Sequence, residues 1–499
     1  MESNFELAVS FLVIALAGTI QAADTQAADP WPNGYTHDYS TEEYVAPKEK
    51  AVAEKLEWFR DQKLGLMMHF GLYSQTGEVE SWGLCERVSL ELRDASPTNP
   101  RREQYKRNYW NLIGSFNPWR LEPEAWADVA KRNGFRYLVF TTKHHDGFCL
   151  FDSKYSDYKV TAKECPFSTN PQPDIVRRVF DAFRAKGIGI AAYFSKPDWH
   201  HPDYWEDRGL GYRTSAGPSY SVKAEPERWG RFASFVRNQI LELVGGYGPI
   251  DILWLDGGQV QRRTGLDVNM EKIVAEARKL KPDLIAVDRT AGGVCENVVT
   301  PECTVPPKPL AMPWESCVPM GSTFAYTFDD AYKSPRELVR LLMDVVAKGG
   351  NLALNVPPCP NGRLPKTAVE KLDGLGAWLK KNGEAVYGTR IVAPCRQGDW
   401  AFTQKKDAVY ATFLRTDANA AQRAFACPVE NPKKVRKVVH LATGREIAFK
   451  VENGKVTFTT PADIDPDWNA EAFKFLFLDF QDRRLITSPK ELTSERNET

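Results

Sequence analysis

Short apolar runs recur along this chain, separated by amphipathic stretches. The runs are LGLMMHFG (64–71), YLVFTTK (137–143), IGIAAYFS (188–195), DILWLDGG (251–258), LIAVDR (284–289) and NLALNVPP (351–358). Their length and near-continuous apolarity predict parallel strands buried on both faces. Residues 123–135, 174–189, 336–350 and 367–383 carry apolar positions at helical spacing, and several of these stretches end in a glycine such as Gly187. Strand followed by helix, repeated from about residue 45 to 385, predicts a (β/α)8-like barrel of the TIM type. A doubly wound open sheet is the alternative, but no G-x-G-x-x-G follows an early strand.

After residue 386 the pattern changes. DAVYATFLR, KVRKVVHLA, REIAFKVENGKVTFTT and FKFLFLDF are short, rich in β-branched and aromatic residues, and separated by turn signals. Asn453-Gly454 between two alternating runs marks a hairpin. These features predict a (β/α) barrel over 30–385, a C-terminal β-sandwich over 386–481 and a polar tail over 482–499. A length of 499 residues fits two cores better than one.

Residues 7–18 form an apolar run too short to span a bilayer and of the length of a signal-peptide core. Small residues follow, with Ala22 as the cleavage point. A signal peptide over 1–22 and a secreted or periplasmic protein are expected, although the first residues carry Glu2 and Glu6 and no Lys or Arg. No later stretch reaches the length of a membrane span. Basic and acidic residues balance at 65 each, which gives no general electrostatic footprint for nucleic acid or an anionic membrane. The nine cysteines contain no C-x-x-C, so a zinc ribbon or thioredoxin-type site is not expected. The 14 tryptophans suit stacking on sugar faces or filling a large core.

In a parallel barrel, reacting groups sit at the C-terminal ends of strands. Polar residues gather at those points. The first run ends in His69, the second in His144-His145, the third in Tyr193 with His200 and His201 beyond it, the fourth in Asp256 and the fifth in Arg289. Five of the seven histidines therefore lie at three early strand ends. Metal-dependent hydrolysis by His69, His144 and His145 is one reading, but adjacent residues on an extended strand point to opposite faces, and no H-x-H or H-E-x-x-H accompanies them. Carbohydrate hydrolysis by paired carboxylates is the other. Asp256 follows a fully apolar strand and precedes Gly257-Gly258, where a ligand can approach closely, so it is the candidate nucleophile. Glu302 and Glu315 both follow the fifth run and are the candidate proton donors.

MMHFGLYS, the block running from FNPWRLEPEAW through KHHDGF to KYSDY, AAYFSKPDWHHPDYW, ILWLDGG, VDR, TPE, PWESC and GGNLALNVPPCPNGRLP together resemble the α-L-fucosidases of glycoside hydrolase family 29. The resemblance spans roughly residues 45–390. It implies a catalytic barrel with a C-terminal β-sandwich, and a retaining double displacement on fucosylated glycans that uses no metal or cofactor. Asp256 falls on the family nucleophile. Glu302, in TPE, falls on the acid/base of many members, especially those acting on α-1,3 and α-1,4 linkages, with Glu315 as the alternative. His69, His144, His145, Tyr193, Trp254 and Arg289 match fucose-binding positions. Trp82 is a softer match, because Ser81 stands where the family commonly has Glu before that tryptophan. Trp199 and Trp314 are candidates for the leaving-group side or for core. The competing readings are a non-catalytic fucose-binding barrel and the same chemistry on α-L-galactosides. Nothing in the sequence fixes an oligomeric state.

Overall fold

The computed structural model describes residues 44–77, 79–85, 100–210 and 215–478. The expected signal peptide and the polar tail from 482 lie outside the described residues. Among the described residues no helix is long and apolar enough to cross a membrane. The chain runs α1 (Lys50–Gln62), β1 (Leu64–Met68), α2 (Pro100–Trp110), α3 (Pro123–Arg132), β2 (Tyr137–Lys143), α4 (Ile175–Ala185), β3 (Gly189–Ser195), α5 (Pro226–Gly246), β4 (Ile252–Asp256), α6 (Met270–Leu280), β5 (Ile285–Asp288), β6 (Glu315–Pro319), α7 (Pro335–Ala347), β7 (Asn351–Asn355) and α8 (Lys366–Asn382). Local signals set several helix starts. Asp174 caps α4 by accepting from Arg177 N at 3.0 Å, and Ser334 with Glu337 forms a capping box on α7.

The seven strands make one parallel sheet in the order β5-β4-β3-β2-β1-β7-β6. The six apolar runs are six of these strands. β6 has no apolar run to announce it: its sequence is ESCVP, yet every residue of it is buried. Between β5 and β6 an irregular segment takes the place of an eighth strand. Asn297 N donates to Ala286 O at 2.9 Å on the β5 side, and Glu315 N donates to Val299 O at 2.9 Å on the β6 side. Single bridges pair Val299 with Trp314 and Glu302 with Cys317. Pro301 within this segment has no N–H to give a regular ladder. The curled sheet is thus completed by the stretch that carries Glu302.

Alternation along the strands separates two apolar layers. Met67, Val139, Ala191, Trp254, Val287 and Ala353 fill the barrel interior. Leu66, Leu138, Ala192, Leu253 and Ala286, one residue away on each strand, pack outward against the helices.

The C-terminal part is antiparallel: β8 (Arg396–Gln397), β9 (Trp400–Lys405), β10 (Ala408–Leu414), β11 (Ala424–Cys427), β12 (Val435–His440), β13 (Arg445–Ile447), β14 (Phe449–Glu452), β15 (Lys455–Thr459) and β16 (Ala470–Phe477). They form a six-stranded sheet, β13-β12-β16-β10-β9-β8, and a three-stranded one, β11-β15-β14. Their inner faces share a core that includes Trp400, Phe425, Phe458 and Phe473. Asn453 (φ 50°) and Gly454 (φ 72°) make the two-residue turn between β14 and β15 that the Asn-Gly pair predicted. Trp378 Nε1 on α8 donates to Ala470 O at 2.9 Å, and Arg336 Nε on α7 to Trp468 O at 2.9 Å, tying the sandwich to the barrel. None of the nine cysteines forms a disulfide, and six of them are buried.

Candidate active site

Period-two alternation carries the interior face of each strand one step beyond its end, and the polar residues occupy that step. Met67 is followed by His69 on this face, Trp254 by Asp256, Val287 by Arg289 and Ala353 by Asn355. β2 needs an adjustment. Its register against β3 shifts between Thr141, opposite Tyr193, and Lys143, opposite Phe194. That irregularity turns Lys143 outward, where its Nζ reaches Asp198 at 3.0 Å and lies over the Phe194 ring. His144 and His145 follow where the strand has ended, so the opposite-face rule no longer binds them. Their ring centroids are 4.4 Å apart and both face the site. The Lys143–Asp198 pair is fully buried and brings desolvation costs that offset its attraction; it fixes the loop that presents the two histidines.

One guanidinium organises the two carboxylates. Arg289 Nη1 donates to Asp256 Oδ1 at 2.9 Å, Nη2 donates to Glu302, and Nε donates to Thr300 Oγ1 at 3.1 Å. Asp256 Oδ1 also accepts from Gly257 N at 2.7 Å, and Oδ2 from the Tyr193 hydroxyl at 2.5 Å. Nε2 of His145 is 3.7 Å from Oδ2. Burial by itself raises the Asp256 pKa, but Arg289, His145 and the Tyr193 hydrogen bond hold it well below the usual carboxylate range. Asp256 is therefore an anion with its lone pairs directed by fixed donors. Arg289 also lies 4.8 Å over the Trp254 ring.

The histidines are kept neutral. Burial pulls His69 and His145 down to about 4 and His144 well below its ordinary value. Each offers directional hydrogen bonds at neutral pH rather than positive charge. His69 Nδ1 is 2.9 Å from Asn355 Oδ1, and His144 Nδ1 is 2.6 Å from Ser81 Oγ. Trp82 packs edge-on to His145 at 4.9 Å, and Tyr193 stacks on Trp254 at 5.1 Å. Ser81 thus supports a histidine instead of presenting a carboxylate.

Glu80, one residue earlier, is buried. Its carboxyl faces the backbone N–H groups of Phe324 and Ala325, and Oε1 has no hydrogen-bond partner. Burial pushes its pKa up to about 8. The fold therefore favours the protonated form, and the stability this contributes is lost as pH rises from about 4.5 through 8. Glu80→Gln keeps an acceptor for those N–H groups and removes the titration. Thermal melts are expected to give the variant and the wild type similar midpoints near about pH 5, with the variant higher by about 2–6 °C at pH 8. A constant difference across that range overturns this account.

The rim separates what the sequence grouped together. His200 stacks on Tyr158 at 3.9 Å and His201 packs on Phe235 at 4.3 Å, both away from Asp256. Trp199 is buried between Trp205 (4.9 Å) and Trp82 (5.4 Å), and Trp314 is buried beneath Gly350. Glu315 lies at the N-terminal end of β6, inside the barrel, where Trp254 Nε1 donates to it at 3.0 Å and the Tyr137 hydroxyl also donates. Burial pushes its pKa up to about 7. Donor atoms of His144, His145 and Asp256 lie within 4.8 Å of one another, the one group of described residues placed to hold a metal ion, although Asp256 is already satisfied by Arg289, Tyr193 and Gly257.

Several contributors had no sequence signal of their own. Asn355 ends β7 with no charge or ring to single it out, Thr300 lies in an irregular segment and Phe324 in a loop; Phe324 packs 5.1 Å from His69. Lys196 is buried against Asp288 across the end of β4, and its backbone N–H donates to Asp256 O at 3.0 Å.

The chain has relatives among known proteins. A family model described as alpha-L-fucosidase matches residues 35–384. The tissue alpha-L-fucosidase of Homo sapiens is 28% identical over 427 residues, covering 82% of this chain and 85% of that one. The solved structure of alpha-L-fucosidase isoenzyme 1 from Paenibacillus thiaminolyticus is 28% identical with a TM-score of 0.71, covering 86% of this chain and all (100%) of its own. The Thermotoga maritima alpha-fucosidase in complex with fucose is 26% identical with a TM-score of 0.66, covering 89% and 100%. The family match takes in the whole parallel sheet and every residue gathered around Asp256, so the chain belongs to the α-L-fucosidase family.

Proposed function

We propose that this chain is an exo-acting, retaining α-L-fucosidase in which Asp256 is the nucleophile and Glu302 the acid/base. The observation that carries the roles is the bridge made by Arg289, which holds an ionised Asp256 at the end of β4 and Glu302 on the segment facing it. In this scheme an Asp256 oxygen attacks the anomeric carbon while Glu302 gives its proton to the departing glycosidic oxygen. The resulting fucosyl ester on Asp256 is hydrolysed by water that Glu302 deprotonates. Arg289 stabilises the carboxylates through both steps. His69, His144, His145 and Trp82 line the ring-binding space, and Tyr193 and Trp254 orient Asp256 and Arg289 from beneath. Glu315 is held inside the barrel by Trp254 and Tyr137, which favours Glu302 for the proton transfer.

The apolar rings of Phe324 and Trp82 favour the 6-deoxy sugar over an α-L-galactoside, whose extra hydroxyl needs a polar partner. The TPE motif supports α-1,3 and α-1,4 linkages, and the apolar run at 7–18 supports export. Incubation with 2-deoxy-2-fluoro-α-L-fucosyl fluoride tests the nucleophile, because the 2-fluorine slows both oxocarbenium-like steps while the good anomeric leaving group keeps the first fast enough for the fucosyl-enzyme to accumulate. Time-dependent inactivation with one fucosyl adduct on the peptide containing Asp256 is expected. An adduct on any other carboxylate overturns the assignment.

A further inference from the structure

The fucose ring occupies only one side of the scissile bond. The segment between β6 and α7 reaches the site through Phe324, 5.1 Å from His69, and continues outward from it. Its ends are pinned together: Lys333 N donates to Met320 O at 3.0 Å and Lys333 Nζ to Pro319 O at 2.8 Å. Inside it, Ser322 N donates to Asp330 Oδ1 at 2.9 Å. Its inner limb belongs to the site. Asn355, which holds His69, also donates through Nδ2 to Phe324 O at 2.8 Å, and Glu80 faces the Phe324 and Ala325 N–H groups. Glu80 in turn feels the charge of Glu302, and Lys333, at the loop's far end, is within electrostatic reach of Cys303.

From Phe324 the chain runs outward to Tyr326 and Phe328, whose rings meet edge-to-face at 5.6 Å. Phe328 is 57% exposed, although it is firmly placed. Its ring lies against Gly77, where a Cβ would come within 2.4 Å of it and where φ is +68°. Gly77 belongs to the rim segment that continues to Ser81 and Trp82. A flat apolar ring, anchored on two rim loops and open to solvent, loses little side-chain freedom when something stacks on it.

We propose that Phe328, with Tyr326, forms the leaving-group subsite, a platform for the apolar face of the pyranose ring to which the fucose is α-linked. The platform is continuous with the fucose site through Phe324, whose backbone N–H faces Glu80, a carboxyl within electrostatic reach of Glu302, the group assigned to protonate the departing oxygen; the inference rests on that assignment. Asp329, exposed beside Phe328, sets the class of ring. A neutral hexopyranose or N-acetylhexosamine stacks there without penalty, whereas a sulfated or carboxylated one meets like charge.

The test compares two substrates that share the fucose ring. α-L-Fucosyl fluoride has no ring on the leaving side; an α-L-fucosyl disaccharide with a neutral pyranose does. Phe328→Ala is expected to lower kcat/KM on the disaccharide by about tenfold, mostly through KM, and to stay within about twofold of wild type on the fluoride. Phe328→Leu, which keeps apolar volume without a flat face, is expected to show the same split, and Phe328→Trp to restore the disaccharide. Equal losses on both substrates, no loss on the disaccharide, or no rescue by Trp overturns the platform. A wild type that leaves the fluoride intact overturns the fucosidase roles themselves, and the two failures are thereby distinguished.

Discussion

Asp256→Ala is expected to lower kcat on an aryl α-L-fucoside by about 10³–10⁵-fold, or about 4–7 kcal/mol of barrier. The size follows from what the residue supplies. Asp256 is an anion whose oxygens are oriented by Arg289, Tyr193 and Gly257, so in the proposed role its attack needs no deprotonation and little reorganisation. Alanine leaves a cavity of about one carboxyl group in front of the anomeric carbon. Azide can enter that space and act as the nucleophile, and because it replaces the enzyme's own attack the product is the inverted β-L-fucosyl azide. Arg289 keeps Glu302 as a partner in this variant, so the guanidinium is not left unpaired. A variant retaining more than about a tenth of wild-type kcat, or giving no inverted azide, assigns the nucleophile elsewhere.

The second large effect depends on the leaving group. Glu302→Ala is expected to reduce turnover of a fucosyl disaccharide by about 10²–10⁴-fold, the range of general acid catalysis. On α-L-fucosyl fluoride, whose leaving group needs little protonation, the first step is largely spared and hydrolysis of the fucosyl-enzyme becomes limiting. Azide needs no general base, so it accelerates that step and yields the α-L-fucosyl azide, with configuration retained. The two azide products thus report the two roles by opposite anomers. Glu315→Gln provides the contrast. Its carboxyl binds Trp254 and Tyr137 inside the barrel, so its loss is expected to be similar on both substrates and unaffected by azide. A leaving-group-dependent loss rescued by azide at Glu315 instead of Glu302 transfers the acid/base role.

Hydrophobic periodicity alone located six of the seven barrel strands, because a strand buried on both faces must be apolar along its length. It also placed His69, Asp256 and Arg289 at strand ends, since each lies two residues beyond an interior apolar position. β6 escaped this reading for a physical reason: its interior position is Glu315, and burial of that carboxyl is made tolerable by donors from β2 and β4 that are 178 and 61 residues away. The same two-residue step places Asn355, but its pairing with His69 and Phe324 was unreadable, as was the Glu80 contact, because each is set by a neighbour distant in the chain.

Local spacing and contiguous motifs suffice for the alternation of strand and helix, the antiparallel C-terminal segments with their Asn-Gly turn, and the family. Which groups come together depends on long-range packing. It ended β2 at Lys143 so that His144 and His145 share one side, sent His200 and His201 to packing, and joined Glu302 rather than Glu315 to Asp256 through Arg289. Those outcomes are fixed by cross-strand register and by one guanidinium spanning two loops, relations between residues that no linear pattern encodes.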